Sequence, residues 1–292
     1  MDRIDLHAHT RRSDGSLEPG ALVRLAKDTG LRALAVTDHD TTSGLPEAEE
    51  AGRALGVEIL TGSEISARFP ERAMHLLAYA FDRDDPHVGA LLEETRAGRE
   101  RRNPRIVARL CELGYSLTID EVRAEAGGHV VGRPHIARAL VRKGYAPDVR
   151  TAFSRWLKDG GPAYVATESV TPAEVIGVVV DAGGVVVLAH PKQLRVEGAA
   201  AHEALLRELA AAGLGGVEVN HPSHDASDRA FFAQLAERLG LVKSGGSDFH
   251  GDTKPDVRLG YGKGDVEVGY ETWEALLARR GARPSTGLGT AF

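Results

Sequence analysis

Apolar residues gather along the chain in seven short runs, at 4–6, 33–36, 57–60, 75–79, 185–189, 217–219 and 241–242. Runs of this length fit strands buried on both faces, as in a parallel sheet covered by helices. The pattern therefore predicts seven parallel strands. Helical stretches with start and stop signals lie between several of them. Ser16 and Pro19 open a helix over 21–28 that Gly30 closes, and Pro46 opens one over 47–55 ahead of Gly56. Thr171-Pro172 opens one over 173–182 ahead of Gly183-Gly184, and a stretch over 226–239 stops at Gly240. Repeated strand–helix units imply a parallel sheet or barrel whose C-terminal strand ends carry the chemistry.

Residues 93–165 break this rhythm. They read as helices over 93–113, 119–126, 134–143 and 148–157, with no clear strand. This stretch holds 14 Lys and Arg against 9 Asp and Glu, a net of +5, leaving 22 against 33, or −11, for the rest. The expected organisation is an acidic barrel from 1–92 and 166–292, with a basic helical insert at 93–165 capping the substrate. The small and polar tail from Gly281 to Phe292 is expected to fray.

Composition narrows the class. Of 292 residues, 42% are hydrophobic and 27% charged, which fits a soluble globular chain and excludes a disordered or fibrous one. A net charge of −6 leaves room only for a local nucleic-acid-binding patch. The single cysteine, Cys111, excludes an internal disulfide framework and a Cys-rich zinc module, and its apolar helical context suggests a buried position. No apolar run approaches the roughly 20 residues of a membrane span. The N-terminus lacks an export pattern, so the expectation is a cytoplasmic protein without membrane contact and without an obligate protein partner.

Histidines carry the strongest chemical signal. The first strand ends in His7-Ala8-His9, and residues i and i+2 of a strand point the same way, so both imidazoles can face one ion. Asp14 follows in a turn. The second strand ends in Thr37-Asp38-His39-Asp40, Gly62-Ser63-Glu64 follows the third, and His75 opens the fourth. Ala189-His190-Pro191 and Ser247-Asp248-Phe249-His250 follow later strands. A lone histidine is ordinarily a satisfied core or surface residue. A charged or imidazole group at so many strand ends is costly to bury unless an ion compensates it. The candidate ligands are His7, His9, Asp14, His39, Glu64, His75, His190, Asp248 and His250. Mixed imidazole and carboxylate donors suit Zn, Mn or Fe(II). Asp40 reads as a residue that orients a ligand or caps the following turn.

These blocks resemble those of the PHP (polymerase and histidinol phosphatase) superfamily in order and spacing, from residue 4 to about 255. The resemblance implies a distorted (β/α)7 barrel and two or three divalent metal ions (Mn, Fe or Zn). It assigns His7, His9, Glu64 and Asp248 to one ion, Glu64, His75 and His190 to a second, and Asp14, His39 and His250 to a third. Within the superfamily the chain is most similar to stand-alone phosphoesterases that remove the 3′-phosphate of nucleoside 3′,5′-bisphosphates, some relatives of which trim short RNA 5′→3′. The segments 132–137, 162–165 and 218–224 carry that similarity. Some relatives have a lysine before the Tyr-Val pair, where this chain has Gly160-Gly161 with Lys158 nearby.

Clustered divalent ions lower the pKa of bound water and clamp phosphoryl oxygens, so a bridging hydroxide can attack phosphorus in line. The same centre could open an amide or lactone. The insert therefore bears on the reaction class. Arg133 and His135 begin a helix behind Pro134, where backbone N–H groups favour an anion, and arginine matches phosphate bidentately. Arg96, Arg99, Arg101, Arg102, Arg105 and Arg109 crowd one helical stretch with Glu100 among them. Such a run is either a solvated face or a rail for a second phosphate or an RNA backbone. Arg99 and Arg102 share a face, with Asn103 beside them, and join Arg133 and His135 as candidate substrate contacts. Asp14, His39 and His224 are the candidate catalytic residues. His224 would serve as general acid or as a phosphate ligand, and is favoured over His221 because Pro222 breaks the strand between them. The expected partner is a small nucleotide substrate, with short RNA ends as a further class. The rival readings are a histidinol-phosphate or other small-molecule phosphatase and a non-catalytic RNA- or partner-binding module.

Overall fold

The computed structural model describes residues 2–70, 72–127, 129–167 and 169–281. The first part of the chain forms β1 (Ile4–Ala8), α1 (Pro19–Asp28), β2 (Ala33–Val36), α2 (Leu45–Leu55), β3 (Glu58–Phe69) and β4 (Arg72–Tyr79). Four helices follow: α3 (Pro86–Glu112), α4 (Ile119–Ala126), α5 (Arg133–Arg142) and the single turn α6 (Val149–Ala152), which runs into a π-helical turn at Phe153–Leu157. The chain then returns through α7 (Pro172–Asp181), β5 (Val185–Leu188), α8 (Ala199–Ala212), β6 (Gly216–Asn220), α9 (Ala226–Leu239), β7 (Val242–Gly245) and α10 (Tyr270–Leu277).

The seven strands lie in sequence order in one sheet. The sheet curls until β1 meets the segment after β7, where the His9 amide donates to the Phe249 carbonyl at 2.9 Å and Ala8 bridges Phe249 in parallel. The result is a nearly closed α/β barrel. All seven expected strands form, but not all are parallel. β4 runs antiparallel to both β3 and β5. Only two residues separate Phe69 from Arg72, too few for the crossover that a parallel pair needs. Apolar content reports burial and not direction, so the runs alone could not show this reversal. β3 also extends past residue 60 to Phe69, placing Glu64 inside the strand, and His75 lies within β4 rather than at its start.

The helix signals place most boundaries within two or three residues. α3 is the main exception. It starts at Pro86, capped by Asp85, whose side chain accepts from the His87 and Val88 amides. Neither α8, alanine-rich and low in polar contrast, nor α10 is predicted by the pattern. Ile106, Leu110, Ile136, Leu140 and Trp156 anchor an apolar cluster of their own, made entirely of residues from α3 through Val165. Cys111 is exposed rather than buried, its Sγ turned to the Leu117 carbonyl at 3.3 Å. The tail expectation falls almost wholly on 282–292, outside the described residues. No helix among the described residues is long and apolar enough to cross a membrane.

Candidate metal centre

All nine expected ligands converge at one end of the barrel, forming overlapping groups whose donor atoms lie within 4.8 Å of one another. Glu64 sits in the middle. Its Oε2 lies 3.3 Å from His7 Nε2, 3.2 Å from His9 Nε2 and 3.2 Å from His39 Nδ1. Its Oε1 lies 2.8 Å from His75 Nδ1 and 2.9 Å from His190 Nε2. Asp248 Oδ1 lies 3.6 Å from His7 Nε2 and 3.5 Å from His9 Nε2. Asp14 lies 3.3 Å from His250 Nε2 and 3.7 Å from both His39 Nε2 and His9 Nδ1.

Local backbone makes these approaches possible. A Cβ on Gly246 would stand 2.4 Å from the His7 Cβ and amide nitrogen, so only glycine lets the chain after β7 press against β1 and deliver Asp248. Gly15 is held against the His9 carbonyl in the same way, 2.4 Å from where its Cβ would be, which fixes Asp14. Asp40, His190 and Asp248 adopt left-handed backbone, with φ of 53°, 27° and 52°. Such conformations cost roughly 1–3 kcal/mol each and persist where the surroundings enforce them.

The donor set fits divalent ions. His7 Nε2, both nitrogens of His9 and His39 Nδ1 are buried without a hydrogen-bond partner. Two donors held about 2.1 Å from one ion stand roughly 3.0–3.4 Å apart, close to the separations around Glu64. Burial resists ionisation of Glu64, Asp14 and Asp248. The surrounding imidazoles, with Lys254 beside Asp248, nevertheless hold all three carboxyls well below their usual range.

Several residues with no expected role complete the site. Glu218 is fully buried. Its Oε1 lies 3.0 Å from His7 Nδ1, and its Oε2 accepts from the His190 amide at 2.7 Å. With Nδ1–H donating to that carboxylate, the lone pair of His7 Nε2 is left to face an ion. Glu218→Gln should therefore weaken metal binding roughly 10–100-fold, read by competition with a chelator. Asp5 accepts from the amides of His7, Ser247 and Gly260, tying β1 to the Asp248 segment. Lys254 Nζ pairs with Asp248 Oδ2 at 2.5 Å.

The structure also reorders two candidates. His221 Nε2 lies 3.3 Å from Asp248 Oδ2. His224 lies behind His221, at a ring separation of 5.4 Å, and also packs on Phe232. Its Nδ1 donates to the Val219 carbonyl at 2.9 Å, while Nε2 is buried without a partner. His221, disfavoured because of Pro222, is thus the histidine that touches the cluster.

The five expected substrate contacts gather where α3 and α5 meet the barrel. Arg99 is committed in part, its Nε donating to Asp40 Oδ2 at 2.5 Å and an Nη to Ser66 Oγ at 2.8 Å. His135 Nδ1 accepts the Gly132 amide at 2.9 Å. Arg133 donates to Asp159 Oδ1 at 2.7 Å and lies over the Tyr164 ring. Asn103 donates to the Val131 carbonyl. Arg102 is 5% exposed and meets only Asn103 and Thr167 among the described residues. Burial, Arg99 and Arg133 push its guanidinium well below the usual arginine range.

His135 and His224 give the fold an acid-sensitive component. Burial, reinforced by Arg138 and Arg99 at His135 and by His221 at His224, lowers each pKa from 6.5 to about 4. The unfolded chain therefore binds protons at a pH where the fold does not. Stability present above pH 6.5 is lost as pH falls towards 4, by up to about 3 kcal/mol per residue. The melting temperature of metal-free protein should fall through this window, less steeply in His224→Gln, and a flat profile would contradict the assignment.

A nearly closed barrel with this buried histidine–carboxylate cluster has the frame and donor set of a metal-dependent hydrolase. The chain belongs to the PHP domain family, whose pattern matches residues 5–162. It is 35% identical over 280 residues to a 3′,5′-nucleoside bisphosphate phosphatase of Chromobacterium violaceum, covering 96% of this chain and 98% of the relative. It is 36% identical to a 5′-3′ exoribonuclease of Haemophilus influenzae, covering 85% and 90%. A solved structure from Bifidobacterium adolescentis, described as a metal-dependent phosphoesterase, superposes with a TM-score of 0.82 at 35% identity, covering 94% of this chain and 96% of that one.

Proposed function

We propose that the chain removes the 3′-phosphate from nucleoside 3′,5′-bisphosphates, with residues 93–165 acting as the substrate cap. Arg102 carries this reading. A buried guanidinium with no carboxylate partner among the described residues, beside Arg99 and Arg133, is costly unless an anion completes it. One phosphate then sits at the histidine–carboxylate cluster and the other at the arginines. The similarity to the C. violaceum phosphatase supports the same substrate class.

His7, His9, Glu64 and Asp248 would hold one divalent ion, Glu64, His75 and His190 a second, and Asp14, His39 and His250 a third. Such ions activate water and offset phosphoryl charge. The chain's own residues do the rest. Glu218 fixes the His7 tautomer, Asp5 ties β1 to the Asp248 segment, and Asp40 holds Arg99 in place. His221 has the position, against Asp248, to pass a proton to the leaving hydroxyl, while His224 supports it from behind.

The similarity to the exoribonuclease favours a second reading, 5′→3′ trimming of short RNA, because an RNA 5′ end presents the same two phosphates in the same order. A phosphate-release panel on Mn-reconstituted protein tests the first reading. Charge-assisted hydrogen bonds of about 1.5–3 kcal/mol each predict roughly 100-fold higher kcat/KM for a nucleoside 3′,5′-bisphosphate than for the 3′-monophosphate. Equal values would overturn the assignment of the second phosphate to the arginines.

A further inference from the structure

A cavity of about 520 Å³ is lined by Arg72, Arg105, Arg109, Asp159, Tyr164 and the Gly160-Gly161 backbone. None of the cluster ligands lines it. Arg102, Arg105 and Arg109 are spaced i, i+3 and i+7 on α3, so they follow one face of the helix over roughly 10 Å. Arg72 faces them from β4. Among the described residues, Arg72 and Arg109 each donate to a single backbone carbonyl, of Leu194 and Tyr164, and neither pairs with a carboxylate. The one acid in the lining, Asp159, is taken by Arg133. Among the described residues, Arg72 and Arg109 thus bring positive charge to the cavity without a paired acid.

Resting on the reading above, which puts the 5′-phosphate at Arg102, we infer that this cavity receives the distal phosphoryl group of a nucleotide extended at its 5′ end. The ligand class is a nucleoside 5′-diphosphate bearing a 3′-phosphate. Arg102 and Arg133 hold the inner phosphate and Arg72 and Arg109 the outer one. Tyr164, held by Arg109 at its carbonyl and covered by Arg133 at its ring, lines the cavity beside both positions and links Arg133 to it. Gly161 shapes the floor, since a Cβ there would stand 2.7 Å from the Trp156 carbonyl oxygen.

Calorimetric titration of adenosine 5′-phosphate and adenosine 5′-diphosphate into the full-length, metal-free protein tests this. The diphosphate should bind about tenfold more tightly, and Arg72→Gln and Arg109→Gln should each reduce the difference to within about threefold while leaving monophosphate binding unchanged. Equal binding of the two nucleotides, or a preference that survives both substitutions, would overturn the inference. Phosphate release from adenosine 3′,5′-bisphosphate by Mn-loaded protein, measured in parallel, separates the two claims. Turnover without a diphosphate preference removes the cavity assignment alone. A diphosphate preference without turnover supports the cavity and removes the phosphatase reading.

Discussion

Asp248→Ala abolishes phosphate release and strips metal from the protein in the same preparation. Asp248 offers Oδ1 to the His7 and His9 pair and Oδ2 to His221 and Lys254, so one substitution removes a ligand and releases two supporting groups. Divalent ions supply several kcal/mol of charge stabilisation in phosphoryl transfer. At about 1.4 kcal/mol per tenfold, their loss lowers turnover by roughly a thousandfold or more. The change also lowers the melting temperature, since alanine takes left-handed backbone less readily than aspartate and Lys254 loses its buried partner. Metal analysis beside kinetics checks it. Full metal content with activity lost would make Asp248 a proton carrier, and retained activity would remove it from the site.

Arg102→Met separates stability from function. Replacing a buried ion by an apolar side chain of similar length is often stabilising by about 1–4 kcal/mol, and among the described residues Arg102 has no carboxylate to offset its desolvation. The melting temperature should therefore rise by several degrees. The kcat/KM for a 3′,5′-bisphosphate should fall roughly 100-fold with metal content unchanged, because charge-assisted hydrogen bonds to the second phosphate are lost. A variant that is more stable and equally active would mean that Arg102 serves only the packing of the cap. A variant that loses metal would mean that α3 supports the cluster rather than the substrate.

The readable part of the site was carried by position. His7 and His9 alternate on a strand, and Asp14, His39, Glu64, His190, Asp248 and His250 stand at or just beyond apolar runs, where a charge needs a reason. Glu218 was equally visible as a lone acid between Val217 and Val219, yet one charge in a short run reads as an ordinary strand position until a partner is known. Pro222 interrupts the strand and argues against His221 in the sequence, but the turn at Pro222 places the ring against Asp248. Lys254 lies in a loop with no periodic signal. The reversal of β4 depended on the short link after Phe69, which the β-branched and apolar content of the runs does not report. The arginines of α3 show the opposite limit. Their spacing was plain, while burial separates Arg99 and Arg102 from exposed Arg105 and Arg109 on the same helix.

The convergence on Glu64 is tested most directly by counting bound Mn in the wild-type protein and in Glu64→Ala, with phosphate release measured on the same samples. Glu64 faces five imidazoles from four strands and the loops beyond them. The wild type should hold two or three ions per chain and release phosphate in proportion to its metal content. Glu64→Ala should lose at least one ion and nearly all activity. Wild-type protein that releases phosphate at full rate after complete chelation, or a Glu64→Ala variant with undiminished metal and turnover, would contradict a shared metal centre.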